Sequence, residues 1–268
     1  MQPSPTVVGT DLTQRVMGAG TPQPRVGDAD APPTVTGGGT DGRVLGGALL
    51  QSELFQGLSP ASREAVSSVL QDASYSKGQT VWAEGDRAEA LYILLRGKVK
   101  VSRPRAAGPD TGLVLVGPSD MFGEIAVFDP APRATTASVL VDAHVVLLSS
   151  SALRQLIVRR PEVGEELLRL LACRLRRTDE AMADQVSSDV RGRVAKTLLS
   201  LAERFGTRVP EGMRVQHDLA QAEPARLVGA SREAVNRALS AFAARGWIRS
   251  GPDAVTIVYV ERLTRRAG

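Results

Sequence analysis

Between Lys77 and Ser149 the chain cannot run straight for long, because its apolar runs are cut every few residues by glycine, proline, serine or aspartate. The runs are KGQTVWAEGD, ALYILLRGKVKVS, LVLVGPSD and ASVLVDAHVVLLS, with RAAGPDTG as a turn between two of them. Short strands at near-even spacing, joined by turn residues, indicate an antiparallel sandwich or roll rather than βαβ units. Gly78, Gly85 and Gly97 fit tight turns in this block. From Arg160 or Pro161 to Ser187 the period becomes helical. Leu168, Leu171, Leu175, Thr178 and Met182 alternate spacings of three and four, a coiled-coil seam that predicts a homodimer. An α+β fold follows.

The stretch FGEIAVFDPAPRATTAS, Phe122–Ser138, interrupts the strand block with a different chemistry. Read at period two, it is a strand with Glu124 and Ala126 on one face and Ile125 and Val127 on the other. A carboxylate only accepts hydrogen bonds, so a ribose hydroxyl is its natural partner. Phe128, Asp129, Pro130, Ala131 and Pro132 then force a tight excursion. Arg133 follows with a planar fork matched to two phosphate oxygens. Ala134, Thr135, Thr136 and Ala137 add little bulk, leaving backbone N–H groups room to approach the same anion. The bland alternative is a surface Glu and Arg on an ordinary hairpin. The combination favours a site for one small phosphorylated ligand.

Charge separates the two halves. The net charge is +4, with 14 Lys and Arg against 8 Asp and Glu from Asp189 onward and 19 against 21 before it. The basic half is the nucleic-acid candidate. Asp189 caps a helix whose Val194, Leu198, Leu201, Ala202 and Phe205 form one apolar face and whose end falls at Gly206. Farther on, Leu227-Val228-Gly229 ends a short helix, and Ser231 caps a second. That second helix has Arg232, Glu233, Asn236 and Arg237 on its polar side and Val235, Leu239 and Phe242 on its core side. Two helices joined by a glycine turn make a helix-turn-helix, and IRSGPD with AVTIVYV supplies a wing. Arginine at the start of a helix in the major groove donates bidentately to guanine, glutamate beside it accepts from cytosine N4, and Ser231 reaches phosphate.

Other chemistry is poorly supplied. The one cysteine, Cys173, rules out an internal disulfide and a four-thiolate iron–sulfur centre. His144 and His217 have no ligand partner at useful spacing, so no metal site is expected. No nucleophile or base–orienter pair accompanies Glu124 and Arg133, which argues against an enzyme and a catalytic site. The apolar runs are too short for a membrane span and no secretory signal is apparent, so a cytoplasmic protein is expected. Residues 1–48, rich in Pro, Gly, Thr and Val, read as a disordered extension. Leu54, Phe55 and Leu58 precede Ser59-Pro60, which opens a helix toward Leu70.

GEIAVFDPAPRATTA resembles the phosphate-binding cassette of cyclic-nucleotide-binding domains. From about Leu54 onward, with PSDMFGE, RRTDEA and GASREAVNRAL, the chain resembles the cyclic AMP receptor protein family, its actinobacterial branch in particular. The resemblance implies a cyclic-nucleotide-binding β-roll (a double-stranded β-helix or jelly roll) over 49–160. A dimerisation helix over 161–188 and a winged helix-turn-helix domain over 189–268 follow. It implies ligand contacts from Gly123, Glu124, Ile125, Arg133 and Ala134, with Thr178 and Asp179 meeting the purine, one from each subunit. Arg232, Glu233 and Arg237 take base-contacting positions. The implied partners are a palindromic DNA operator, a second copy of the chain and RNA polymerase, and the implied ligand is cyclic AMP.

Four departures matter. Asp179 stands where relatives carry Ser or Asn, and its carboxylate suits an adenine amino group or, more completely, the guanine N1–H and N2 edge. Cyclic GMP, cyclic di-GMP or no nucleotide therefore remain alternatives. Ala134 replaces a Ser or Thr of close bacterial relatives. Gln185 and Ser188 replace apolar seam residues. Pro224 stands within AQAEP where relatives carry a capping box, so the first reader-domain helix begins near Glu223 or has a distorted first turn, which leaves weakened DNA binding as a further alternative.

Overall fold

The structure, a computed structural model, describes residues 34–36, 46–104, 111–129, 131–219, 223–251 and 254–268. Most of the 1–48 extension, and the RAAGPDTG turn as far as residue 110, lie outside the described residues. Contrary to the expectation of disorder, Thr34–Thr36 form a strand, β1. After it come three short helices, α1 (Gly46–Gln51), α2 (Glu53–Gly57) and α3 (Pro60–Ser67). Ser59 caps α3, its hydroxyl accepting from Ser62 N, with Pro60 in the first turn as the sequence indicates.

The roll consists of β2 (Gln71–Tyr75), β3 (Thr80–Trp82), β4 (Ala90–Arg103), β5 (Thr111–Val116), β6 (Met121–Phe122) and β7 (Thr136–Ser149), with α4 (Ile125–Phe128) between the last two. Its antiparallel order is β1-β2-β7-β4-β5, with β3 also on β7 and β6 on β4. β1 covers the edge of β2 through Thr34 opposite Ser74 and Thr36 opposite Asp72. The two 14-residue strands β4 and β7 form the spine, and their register shifts between Leu94 and Val99 bend the sheet into a roll.

β7 runs directly into α5 (Ser150–Arg159), a helix that the sequence reading left unassigned, and α6 (Pro161–Ser187) follows. α6 has two apolar faces. Val163, Leu167 and Leu170 are buried against the roll and the N-terminal helices. Leu168, Leu175 and Met182 stand 68%, 63% and 64% exposed on another face.

The C-terminal unit contains α7 (Val190–Phe205), β8 (Gly206–Val209), β9 (Gly212–Gln216), α8 (Glu223–Val228), α9 (Arg232–Ala244), β10 (Ile248–Ser250), β11 (Ala254–Ile257) and α10 (Val260–Ala267). Asp189 caps α7 by accepting from Gly192 N at 2.8 Å, and Gly206 ends it. The second sheet has the order β10-β11-β9-β8, so the expected wing is joined by a hairpin, β8–β9, that the sequence reading missed. α10 packs on α7, burying Leu263. α8 begins at Glu223 with Pro224 in its first turn, where the missing N–H costs nothing.

The two units share a core. Leu113 and Leu115 of β5 are buried in the same cluster as Val194, Leu198 and Leu201 of α7 and Ala225 and Val228 of α8. Alternation along β4 sends Val99 inward and Lys98 and Lys100 toward the C-terminal unit. Lys98 Nζ donates to Gln216 O and Asp218 Oδ2, both at 2.6 Å, and Lys100 Nζ to Glu223 Oε1 at 2.5 Å. Arg204 adds a donation to Leu115 O at 2.8 Å and an ion pair with Asp120.

Candidate functional site

Gly123 ends β6 with φ 77°, a conformation that turns the chain away from the sheet. The strand expected through Glu124 is therefore a short helix, α4, with Glu124 at its N-cap position. The period-two assignment of Ile125 and Val127 to one face fails with it: Ile125 is 65% exposed and Val127 is in the core. The carboxylate is nevertheless buried. Glu124 is 1% exposed, its Oε1 accepts from Arg174 Nη1 on α6, and its Oε2 has no hydrogen-bond partner.

Arg133 is 4% exposed and pairs with no carboxylate among the described residues. Its Nη1 donates to Gly123 O at 2.7 Å and its Nη2 to Ala90 O at 2.6 Å, while Nε has no partner. The fork that the sequence assigns to phosphate thus rests on two backbone carbonyls. Burial lowers the Arg133 value from its ordinary one, with Tyr92, Glu124 and Asp86 opposing. Burial likewise raises the Tyr92 phenol, against the pull of Arg133.

Glu124 and Arg133 line a cavity of about 520 Å³ together with Trp82, Ala134, Thr135, Arg174, Leu175 and Thr178. That volume suits a ligand of nucleotide size. The cavity brings Gly123, Glu124, Ile125, Arg133, Ala134 and Thr178 of the sequence-predicted set together. Asp179 is exposed on α6 and does not line it, since one residue along a helix is about 100° around the axis. Thr178 Oγ1 donates to Arg174 O at 3.0 Å.

The second candidate surface is α9. Ser231 caps it, accepting from Ala234 N at 3.2 Å, and Val235, Ala238 and Phe242 are buried beneath it. Ser231, Arg232, Glu233, Asn236 and Arg237 are all exposed on one end of the helix, as the sequence indicates. The Glu233 carboxyl is held below its usual range by its own backbone N–H, then by Ser231, Arg237 and Arg232. Arg245 and Arg249 extend this exposed basic surface toward the wing.

Residues 73–160 match the cyclic nucleotide-binding domain family, and residues 192–266 match the Crp-like helix-turn-helix domain family. The chain is 49% identical over 219 residues to a CRP-like cAMP-activated global transcriptional regulator of Mycobacterium tuberculosis, covering 82% of this chain and 98% of the relative. The chain belongs to the cyclic AMP receptor protein family. It is also 34% identical to the cyclic AMP receptor protein of Thermus thermophilus, over 77% of this chain and 92% of that one. A solved structure of a CRP-family transcriptional regulator from Thermus thermophilus superposes with a TM-score of 0.62 at 28% identity, over 73% of this chain and 96% of that chain. As a member of the family the chain is a transcription regulator rather than an enzyme, with a cyclic nucleotide as ligand and DNA as partner. No helix among the described residues is long and apolar enough to cross a membrane, and they contain no cluster of metal-ligating side chains.

Within this family frame, sequence reasoning missed Arg174, Trp82 and Tyr92. Arg174 lies four residues before Thr178, one turn away on the same helix face, and that spacing was the available signal. Trp82 and Tyr92 gave none, because both read as ordinary strand hydrophobes. The hinge between the two halves is likewise tied: Lys196 donates to Asp184 across it at 2.6 Å, Arg193 to Ser188 O at 2.7 Å, and Arg266 pairs with Asp189.

Proposed function

We propose that this chain is a homodimeric regulator that binds cyclic AMP in the roll and responds by changing its hold on a palindromic DNA operator beside RNA polymerase, in the cytoplasm. One observation carries the ligand assignment. Two buried, oppositely charged groups face one cavity, and each keeps one atom unpaired, Glu124 Oε2 and Arg133 Nε. A ribose hydroxyl answers the first and a cyclic phosphate the second, each as a charge-assisted hydrogen bond. The Mycobacterium tuberculosis relative is named as cAMP-activated and the Thermus thermophilus one as a cyclic AMP receptor protein, which supports cyclic AMP over other nucleotides.

Ala134 and the backbone after it approach the phosphate, with Gly123 and Ile125 at the cavity's edge. Thr178 faces the base from the same subunit. Asp179 reaches it from the second copy, across a seam of Leu168, Leu171, Leu175, Thr178 and Met182. The exposed Leu168, Leu175 and Met182 of α6 support that seam, since three large apolar side chains in one stripe are costly to leave in water. Ser231 contacts phosphate of the operator, and Arg232, Glu233, Asn236 and Arg237 read bases in the major groove.

Ligand binding shifts the orientation of the two reader helices only as far as its affinity differs between the two arrangements. Isothermal titration with cyclic AMP, cyclic GMP and cyclic di-GMP tests the assignment. Cyclic AMP should bind with the lowest Kd of the three. Tighter binding of a guanine nucleotide, lost in Asp179→Ser, would overturn the choice of base.

A further inference from the structure

Four buried side-chain polar atoms among the described residues lack a hydrogen-bond partner, and three of them belong to residues lining one cavity: Trp82 Nε1, Glu124 Oε2 and Arg133 Nε. Glu124 and Arg133 answer the ribose and the phosphate, whereas Trp82 faces the same cavity with no ligand group assigned to it. We propose that Trp82 is the positioning residue for Arg133, its indole face fixing the guanidinium plane so that the cyclic phosphate meets a correctly oriented fork. The inference rests on the reading of this cavity as the cyclic nucleotide site.

The geometry is specific. The guanidinium carbon of Arg133 lies 4.3 Å from the Trp82 ring centroid and 5.9 Å from that of Tyr92. Phe122 stacks on Trp82 at 5.4 Å and 28°, and Tyr92 leans on both rings at 5.4 Å, so the indole is packed into a three-ring cluster. Gly123 makes room for it: a Cβ there would lie 3.1 Å from the Trp82 ring and 2.8 Å from Arg133 Nη1. The turn that leaves Trp82 also grips the Arg133 backbone, with Gly85 N donating to Arg133 O and Arg133 N to Asp86 O, both at 2.8 Å. One segment, 82–86, therefore holds Arg133 by its side-chain face and by both its backbone groups.

The chemistry explains why an aromatic face suits this position. A carboxylate partner would neutralise the guanidinium and compete with phosphate for its donors. A ring quadrupole and two carbonyl dipoles stabilise the buried cation while leaving its charge for an incoming anion. In a desolvated setting the cation–π contact is strong enough for its loss to change affinity by about tenfold or more.

The test is cyclic AMP binding by calorimetry to the full-length protein, with the two phosphorothioate diastereomers of cyclic AMP as additional probes of phosphate orientation. Trp82→Leu should raise the Kd about tenfold and compress the preference between the diastereomers, while Trp82→Phe, which keeps a ring face, should hold Kd within about threefold. In an Arg133→Lys background Trp82→Leu should add little, because a point charge has no plane to orient. Where Trp82→Leu fails to fold, fluorinated tryptophan in place of Trp82 and Trp247 weakens the ring face without changing its shape, and Kd should rise with fluorination. A flat response to fluorination, or unchanged affinity and preference in Trp82→Leu, would overturn the proposal. So would equal losses in the Phe and Leu variants, which would assign the effect to the indole N–H. If the wild-type protein binds no cyclic nucleotide, the cavity reading itself fails.

Discussion

Glu124 and Arg133 are opposite charges in one pocket that do not pair with each other. Glu124 takes Arg174 from α6, and Arg133 takes two carbonyls and an aromatic face. Residue types were legible in the sequence, because a carboxylate and an arginine at this spacing among small residues have few other uses. Their present partners were not. Arg174 lies 50 residues from Glu124, and the Ala90 carbonyl 43 from Arg133. Arg133→Leu should weaken cyclic AMP binding about 100-fold, the order expected when a buried charge-assisted hydrogen bond is lost. The ligand-free protein should melt close to wild type, because relief of a buried cation that has no carboxylate partner offsets the loss of its two carbonyl hydrogen bonds. Calorimetry and a thermal melt on the same sample check both. Glu124→Gln should lessen the discrimination against a 2'-deoxy cyclic nucleotide, measured as the ratio of the two Kd values.

Among the elements, α6 keeps the helical period read from the sequence and α4 breaks the strand period. Spacings of three and four along α6 separate the buried Leu167 and Leu170 from the exposed Leu168 and Leu175, because a helix that long meets two different surfaces. The cassette alternates as a strand on paper, yet Gly123 at φ 77° ends the sheet there, and four residues coil instead. α10 escaped notice because Tyr259 precedes it as a cap without a capping side chain, directly after an apolar strand. β1 escaped because a three-residue strand has no pattern until β2 offers its edge. Leu168→Asp with Leu175→Asp should convert a dimer to a monomer in sedimentation velocity, with helical circular dichroism retained. A wild-type monomer at micromolar concentration would contradict the seam.

At the scale of the molecule, β4 is shared by both functions. Its Ala90 carbonyl and Tyr92 ring contact Arg133, its Val101 and Arg103 line the cavity, and its Lys98 and Lys100 hold the reader domain. Those ion pairs join residues more than a hundred positions apart, which no local pattern exposes. Burial tends to raise the Asp218 carboxyl, but donation from Lys98 outweighs it, and the net value lies below the ordinary aspartate one. A folded value below the unfolded one makes the pair's contribution complete above the ordinary aspartate range and progressively lost as pH falls through the folded value. Urea unfolding of the wild type should therefore weaken below about pH 4 more than unfolding of Lys98→Met, with the difference between the two vanishing at the lowest pH.

The proposed function requires that the nucleotide in the roll and the DNA on α9 be felt by one another. Fluorescence anisotropy with a palindromic operator, with and without saturating cyclic AMP at one fixed salt concentration, measures that coupling directly. A DNA affinity raised at least fivefold by cyclic AMP is predicted, within the usual span of about 5- to 150-fold for such coupling, with the same factor appearing when cyclic AMP affinity is measured with and without DNA. Equal DNA affinity in the two conditions, with cyclic AMP demonstrably bound, would contradict it.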